Sequence, residues 1–277
     1  MSLPQRIEEL SSADPSRLDT RRAREVFAEL LEELAAGRVR AARCTDGIWK
    51  ANTWVKKGIL LGFRIGVLAE AAPGSPFPFF DRDTMALKPL GREDGVRLVP
   101  GGSAVRHGAY LAPGVVCMPP MYINIGAYVD RDTMVDSHAL VGSCAQIGKR
   151  VHLSAGAQVG GVLEPPGALP VIVEDEVFVG GLCGIFEGTV VRRRAVLAAG
   201  TVLSGGSVVH DTVRRLVYRR EGDRPLEIPE GAVVVPGSRP ARDDWGRACG
   251  LQVASPVILK YRDERTDAST TLEEMLR

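Results

Sequence analysis

Asp136 is the side chain whose type and position best suit acid-base chemistry. It directly follows Val135, one of a series of mostly aliphatic residues that recur every six positions and should point inward, so its carboxylate should face outward. An outward carboxylate can take a proton from an attacking nitrogen or hold an ammonium group in place. The alternative is an ordinary solvated aspartate in a turn.

The histidines and cysteines indicate neither a metal centre nor a redox pair. The histidines fall in different phases or distant parts of the repeat, so no three should converge on one metal ion; they are His107, His138, His152 and His210. The cysteines are odd in number, lack CxxC spacing and include two at inward positions, which predicts reduced packing residues. They are Cys44, Cys117, Cys144, Cys183 and Cys249.

A six-residue repeat between positions 105 and 209 must position Asp136. A period of six fits neither a helix, which repeats near 3.6, nor a strand, which alternates every two residues. It fits a triangular β-helix in which each repeat is a short strand and a turn, and three repeats make one coil. The inward positions are Val105, Leu111, Cys117, Ile123, Val129, Val135, Val141, Ile147, Leu153 and Val159, then Val173, Val179, Ile185, Val191, Leu197, Leu203 and Val209.

Small residues and one interruption refine this prediction. A small residue stands two places before most inward positions, where a narrow prism has little room. Residues 160–172 break the repeat and must leave the prism as a loop, and loops of this kind often carry function. We expect glycines to permit the sharp corners between strands. Examples are Gly126, Gly142, Gly148, Gly160 and Gly180.

The repeat divides the chain into three predicted parts. Residues 1–100 should form a helical domain, with helices over 4–10, 19–36 and 46–63, Gly37 ending the second, and an extended segment over 96–100. Residues 101–211 should form the β-helix. Residues 212–277 should add a hairpin over 213–235 with its turn at Glu221-Gly-Asp223, a strand over 252–261 and a capped helix over 270–277.

Composition excludes several classes of partner. The 277 residues carry a net charge of +1, which indicates no nucleic acid or polyanionic partner. The N-terminus lacks a basic segment followed by an apolar core, and no apolar run is long enough to cross a bilayer. We therefore expect a cytoplasmic protein without a membrane partner.

Several motifs resemble the tetrahydrodipicolinate N-succinyltransferase family, and the resemblance covers nearly the whole chain. Outside the repeat, Asp46-Gly47, Trp49, Trp54 with Lys56-Lys57, and Gly95-Val-Arg97 also fit, as does the closing Thr271-Leu-Glu-Glu-Met-Leu-Arg277. The central motifs are more specific than the bare repeat, which many acyltransferases and some non-enzymes share. They are Ile125-Gly-Ala-Tyr-Val-Asp130, Thr133-Met-Val-Asp136, Val141-Gly-Ser-Cys-Ala-Gln-Ile-Gly-Lys149, Val151-His-Leu-Ser154 and Gly160-Gly-Val-Leu-Glu-Pro165.

The resemblance implies a homotrimer of left-handed parallel β-helices. It implies transfer of a succinyl group from succinyl-CoA to the amino group of an opened tetrahydropyridine dicarboxylate, in lysine and diaminopimelate synthesis. The cosubstrate would be an acyl-CoA, with no permanently bound cofactor or metal. The active site would lie between neighbouring prisms, where a rigid groove can align a thioester with an amine.

Site residues follow from the same resemblance. Asp136 matches the aspartate of the family's Met-Val-Asp motif, and Arg97 matches an arginine that binds a substrate carboxylate. Ser143 and Asn124 would line the same groove. Backbone amides at small-residue corners can approach the thioester oxygen; the candidates are Gly180, Gly181, Ala198, Ala199, Gly200, Gly205 and Gly206. Coenzyme A phosphates need cations near the C-terminal end of the groove, where Lys260 and the arginines at 214, 215, 219 and 220 are available, although ordinary solvated charge is the alternative for each.

One segment departs from the family. Where the family reads Gly-Ala-Arg-Ser-Glu-Val-Val-Glu-Gly, this chain reads Gly180-Gly-Leu-Cys-Gly-Ile-Phe-Glu-Gly188. Gly184 replaces an acidic active-site residue and Leu182 replaces an arginine. Three functions therefore stay open: the succinyltransferase, a secondary-metabolism paralogue of the tabtoxin type that transfers acetyl from acetyl-CoA to a related amino dicarboxylate, and a non-catalytic trimeric scaffold.

Overall fold

A three-sided β-helix forms the centre of the molecule in the computed structural model, which describes residues 1–71 and 78–263. Each six-residue repeat contributes a two-residue strand, and strands eighteen residues apart along the uninterrupted part pair in parallel, as Tyr128 pairs with Gln146 and Met134 with His152. The inward side chains form one continuous buried core, from Val105 through Val209. The predicted left-handed parallel β-helix is confirmed.

Three sheets make the three faces, here called the first, second and third faces. The first face contains Ala104–Val105, Tyr122–Ile123, Leu140–Val141, Gln158–Val159, Gly184–Ile185 and Val202–Leu203. The second contains Tyr110–Leu111, Tyr128–Val129, Gln146–Ile147, Ile172–Val173, Val190–Val191 and Glu227–Ile228. The third contains Arg97–Leu98, Val116–Cys117, Met134–Val135, His152–Leu153, Phe178–Val179, Val196–Leu197, Ala232–Val235, Val257–Tyr261, Val209–Asp211 and Leu216–Tyr218.

Glycines at the corners serve two purposes, and the sequence anticipated only one. Gly126 has a φ of +74°, the left-handed conformation expected of a sharp corner. Gly142 and Gly180 do not need that conformation. A side chain there would meet the backbone of the next coil, because a Cβ would lie 2.1 Å from the nitrogen of Gly161 or 2.6 Å from that of Ala199. Close approach of successive coils explains these two glycines.

Three helices pack against one end of the β-helix: α1 (Leu3–Ser12), α2 (Thr20–Ala35) and α3 (Thr53–Ile65). The Asp19 carboxylate accepts a hydrogen bond from the Arg22 N–H and caps α2, and Gly37 follows it with a φ of +71°. The apolar faces share one core that also includes Ile125 and Cys144 from the β-helix. The predicted N-terminal helical domain is therefore confirmed; its helices, here called the helical cap, pack on the prism.

The third helix is shorter than predicted. Residues 42–51 form a hairpin, Ala42–Thr45 with Ile48–Ala51, and only α3 is helical. Asp46 and Gly47 both have positive φ, at 52° and 77°, which is the geometry of a two-residue hairpin turn. The Asp46-Gly47 pair is the sequence signal for this hairpin, and the helix prediction overlooked it. A second small hairpin pairs Leu68–Glu70 with Phe80–Arg82.

The hairpin predicted over 213–235 is wrong. The chain turns earlier, pairing Val209–Asp211 with Leu216–Tyr218, because the Asp211 carboxylate accepts hydrogen bonds from the N–H groups of Val213 and Arg214. The turn at 221–224 exists but closes only one bridge. Beyond it the repeat resumes: Ile228 and Val234, six residues apart, return to the buried core.

The last described segments add two further pairings. Ser238–Pro240 pairs with Gln252–Ala254, and helix α4 (Asp244–Ala248) lies between them. Val257–Tyr261 pairs antiparallel with Ala232–Val235, so the strand predicted over 252–261 is divided in two. Strands before position 101 and after position 211 pair with strands of the β-helix, so the sheets do not end at these two positions. The division of the chain into three parts stays a prediction. The helix predicted over 270–277 lies outside the described residues. None of the described helices is long and apolar enough to span a membrane.

Candidate functional site

Asp136 lies at the corner where the chain turns from the third face to the first. The residues that directly follow successive third-face strands stack there: Asp136, Ser154, Gly180 and Ala198, linked through Asp136 N–H to Leu153 carbonyl, Ser154 N–H to Val179 carbonyl and Gly180 N–H to Leu197 carbonyl. Coils rise about 4.8 Å each, so Gly180 lies about 10 Å from Asp136 along the axis. We call this row the Asp136 corner.

The Asp136 carboxylate is half-buried and locally fixed. Its Oδ1 accepts a hydrogen bond of 2.7 Å from the Ser137 N–H, and its backbone carbonyl accepts one from Ala139. Among the described residues no hydrogen bond or ion pair occupies Oδ2. The arrangement holds the side chain at the corner and leaves one carboxylate oxygen for a ligand amine.

Three backbone amides at the same corner have no partner. Among the described residues, the N–H groups of Ala155, Gly181 and Ala199 donate no hydrogen bond, whereas the residue that follows each of them does. Leu182, for example, donates to Ala155, and Gly200 donates to Gly181. The amides of Gly181 and Ala199 lie one coil apart, on the side of the prism that also holds Asp136. They can donate to ligand carbonyl oxygens spaced along the axis.

Other predicted site residues lie at a different corner. Asn124, Ser143, Gly205 and Gly206 follow first-face strands. Asn124 and Ser143 lie at the turn into the second face, whereas Gly205 and Gly206 lead from the last first-face strand to Val209–Asp211. Asn124 Oδ1 accepts a hydrogen bond from the Ile125 N–H, and Gly205 N–H donates to Glu187. Within one chain the first face separates this corner from Asp136. The chain alone therefore does not bring all the predicted residues together.

Arg97 and Lys260 lie at opposite ends of the third face. Arg97 is exposed and pairs with Val116, so it lies two coils before the level of Asp136. The described residues contain no ion pair to its guanidinium. Lys260 pairs with Val233 and forms an ion pair with Asp263 at 3.1 Å. Arg97 is thus placed toward the Asp136 end, and Lys260 toward the end where Ala198 lies.

An uncharged surface borders the Asp136 corner. The Leu182 side chain is 77% exposed, adopts a φ of +59° and covers Gly156, where a Cβ would lie 2.8 Å from its Cδ2 atom. The Phe186 ring lies across Gly184 and Gly160, because Cβ atoms there would be 2.5 and 2.7 Å from ring carbons. The ring occupies the space that a side chain at position 184 would need. We call Leu182, Gly184, Phe186 and the exposed Val202 the apolar wall.

The loop that interrupts the repeat is anchored to the helical cap. The Val162 N–H donates to the Ser143 carbonyl, and the buried Lys56 ammonium donates to the Ala168 carbonyl. Burial lowers the pKa of Lys56, because no full counter-charge compensates its desolvation. The loop is therefore held beside the corner that contains Ser143.

Sequence reasoning did not single out Ser154 as a site residue, although it lies between Asp136 and Gly180 in the stacked row. The eighteen-residue coil period, applied from Asp136, identifies it. Sequence reasoning also missed Phe186, because the contact of its ring with two glycines of different coils has no local sequence signal.

The cysteines and histidines offer no alternative centre. Burial raises the pKa of both the Cys117 and the Cys144 thiols to about 12, which disfavours the nucleophilic thiolate. Cys44 and Cys249 are exposed free thiols. Within residues 1–71 and 78–263, no group of three or more histidine, cysteine and acidic side chains could hold a metal ion.

Two family models and several named proteins match this chain. A family model described as tetrahydrodipicolinate N-succinyltransferase N-terminal matches residues 2–65, and one described as hexapeptide repeat of succinyl-transferase matches residues 170–204. Proteins named 2,3,4,5-tetrahydropyridine-2,6-dicarboxylate N-succinyltransferase from Bradyrhizobium diazoefficiens and Nitrobacter hamburgensis are each 44% identical over 262 residues, covering 92% of this chain and 90% of theirs.

A third protein of that name, from Acinetobacter baylyi, is 41% identical over 259 residues, covering 92% of this chain and 89% of its own. A solved Campylobacter jejuni structure named as a tetrahydropyridine-2-carboxylate N-succinyltransferase aligns with a TM-score of 0.41 and 16% identity, covering 83% of this chain and 62% of that one. The identity to the curated relatives extends over nearly the whole chain, and on that ground the chain belongs to the tetrahydrodipicolinate N-succinyltransferase family.

Proposed function

We propose that this chain is a CoA-dependent N-acyltransferase that moves a succinyl group from succinyl-CoA to the amino group of an opened tetrahydropyridine dicarboxylate, in the cytoplasmic synthesis of diaminopimelate and lysine. One observation supports it most: a fixed carboxylate, Asp136, shares a corner with the unpartnered amides of Gly181 and Ala199. A base and oxyanion donors are the groups that acyl transfer requires.

The proposed reaction uses these groups in order. The acceptor amine attacks the thioester carbonyl carbon, forming a C–N bond while Asp136 receives a proton from the nitrogen. The carbonyl oxygen becomes an oxyanion, which backbone N–H donors stabilise. The oxyanion then collapses, the C–S bond breaks, and the CoA thiolate takes a proton to leave as a thiol.

Substrate recognition is proposed for the residues around that corner. Arg97 would bind one carboxylate of the acceptor bidentately, and Asn124 and Ser143 would contact the acceptor from the other corner. Gly180, Gly181, Ala198, Ala199 and Gly200 would allow the pantetheine arm to lie close to the backbone, with Gly205 and Gly206 completing the groove. Lys260 would attract the phosphates of coenzyme A.

A homotrimer would bring the two corners together. Asn124 and Ser143 are separated from Asp136 by the first face of their own chain, but a neighbouring prism can place its corner opposite. Along that face the outward residues Ala104, Tyr122, Leu140, Gln158, Gly184 and Val202 carry no charge. We expect light scattering to give about three times the 29.7 kDa chain mass; a single-chain mass would contradict the proposal.

The amide of Ala199 can be tested without altering a side chain. Pro113 occupies the equivalent turn position, before Gly114 at a φ of +82°, so the turn accepts proline. Replacing Ala199 with proline removes one N–H donor, and we expect the KM for acyl-CoA to rise about ten-fold with a smaller change in kcat. Ala199→Ser keeps the N–H and should behave as wild type; an unchanged KM in Ala199→Pro would remove this amide from the binding site.

A second candidate function is acetyl transfer from acetyl-CoA to a related amino dicarboxylate. The apolar wall favours it, because Leu182, Phe186 and Val202 offer no cation for the free carboxylate of a succinyl group. Thioester assays with succinyl-CoA and acetyl-CoA on one dicarboxylate acceptor separate the two functions. Turnover with neither donor would favour a non-catalytic scaffold.

A further inference from the structure

A cavity lies away from the Asp136 corner, where the chain turns from the second face to the third. It has a volume of about 220 Å³, is open to solvent on one side, and is bordered by the β-helix and by Trp49 of the 42–51 hairpin. A cavity of this volume can admit a small organic molecule. Its lining includes Arg40, Trp49, Asp130, Asp175 and Arg193.

Arg40 is the unusual residue of this cavity. Its Nε donates to Gln146 Oε1 at 2.8 Å, and its guanidinium carbon lies 3.7 Å from the centre of the Tyr128 ring. No carboxylate within the described residues forms an ion pair with it, and no hydrogen bond there uses its two terminal nitrogens. Burying a cation without a paired anion is costly, so a fixed guanidinium with free donors indicates a place for a carboxylate.

Two acidic side chains provide the opposite charge. Among the described residues, Asp130 Oδ1 accepts a hydrogen bond from the Arg131 N–H, and Asp175 Oδ1 accepts one from the Lys149 N–H. Neither carboxylate forms an ion pair in the part of the chain that the structure describes. Each has oxygen atoms left for an ammonium group.

The third acid of the cavity is already neutralised. Glu174 accepts hydrogen bonds from the Trp49 indole at 2.9 Å, the Arg192 guanidinium at 2.8 Å and the Arg193 N–H at 3.0 Å. Arg193 is exposed, and its Nε lies 4.0 Å from the Glu230 carboxylate. Arg40, Asp130 and Asp175 are therefore the charged side chains of the lining that have no ion pair among the described residues. A ligand with one positive and one negative end offers each of them an opposite charge.

We propose that this cavity binds the zwitterionic head of a free α-amino acid, with its carboxylate on Arg40 and its ammonium between Asp130 and Asp175. Burial lowers the pKa of Arg40 while Tyr128, Asp130 and Asp175 act against that effect, which agrees with a guanidinium shielded from water and close to both acids. The site is separate from the Asp136 corner, since the third face lies between them.

Calorimetric titration of the full chain tests the proposal with glycine, L-glutamate and L-lysine as probes. We expect at least one of them to bind about ten-fold more tightly than acetate or methylammonium, each of which supplies only one end of the zwitterion. Arg40→Gln should weaken that binding about ten-fold. Arg38→Gln is the matched control, because Arg38 is exposed and pairs with Glu33 outside the cavity.

Further variants keep the test decisive. If Arg40→Gln melts below the assay temperature, Asp130→Asn keeps the guanidinium on Tyr128 and should weaken binding to a similar extent. Asp136→Asn should bind the amino acids as wild type does, so this site can fail or succeed independently of the proposed acyl transfer. Acetate binding as tightly as every amino acid, equal affinities of Arg40→Gln and Arg38→Gln, or no binding by any probe would each overturn the proposal.

Discussion

Replacing Asp136 with asparagine should lower kcat by about two to four orders of magnitude, the range expected when a positioned general base is lost. The amide is nearly the same size and can still accept the Ser137 N–H through its oxygen, so the corner should keep its shape. Steady-state assays of acyl transfer measure the effect. CoA affinity and the solution mass should not change.

Asp132→Asn is a suitable control, because Asp132 is an exposed aspartate four residues earlier with a φ of +59°, a conformation that asparagine tolerates. It should retain near wild-type kcat. If Asp136→Asn also retains it, Asp136 has no part in proton transfer, and the base must be sought elsewhere along the corner, beginning with Ser154.

Introducing glutamate at position 184 should lower the stability of the folded protein. Its effect on substrate preference should become measurable once a second substitution restores that stability. The new Cβ would lie 2.5 Å from a carbon of the Phe186 ring, and overpacking of this kind typically costs about 1 to 3 kcal/mol of folding free energy. Gly184→Glu alone should therefore melt at a lower temperature than wild type. Gly184→Glu with Phe186→Val should recover most of the loss, because valine leaves the space above position 184 empty.

The double variant then tests what the apolar wall does. With a carboxylate beside the Asp136 corner, and in a triple variant that adds Leu182→Arg, we expect the ratio of kcat/KM for succinyl-CoA to that for acetyl-CoA to change about ten-fold or more, since charge complementarity between a site and its ligand sets specificity. Phe186→Val alone is the control for lost packing. Identical donor and acceptor profiles in all variants would show that the wall does not select substrates.

The repeat was predictable from the sequence because burial in a narrow prism restricts residue type at every sixth position. Val135 and Asp136 illustrate this, since an inward aliphatic residue fixes the outward direction of its neighbour. The N-terminal helices were predictable for a similar reason: the apolar residues at helical spacing on α2, such as Leu30 and Leu34, all lie in one core.

What the sequence could not predict depends on contacts between distant residues. Phe186 covers Gly160, which belongs to the preceding coil across the inserted loop, and no periodicity encodes that contact. Arg40 meets Gln146, more than a hundred positions away. The small residues between Gly180 and Gly206 do lie at corners, as expected. Their division between two corners appears only once the three faces are traced, because consecutive turns of a prism point in different directions.

The return of Ile228 and Val234 to the core after the excursion at 210–225 has a consequence for how such a chain can vary in length. One residue added inside a hexapeptide would rotate every later inward side chain toward solvent, whereas a whole extra segment at a corner can leave the column and rejoin it in phase. Insertions and deletions among related chains should therefore cluster at excursions such as 160–170 and 210–225, and the stacked strands between them should keep a constant spacing.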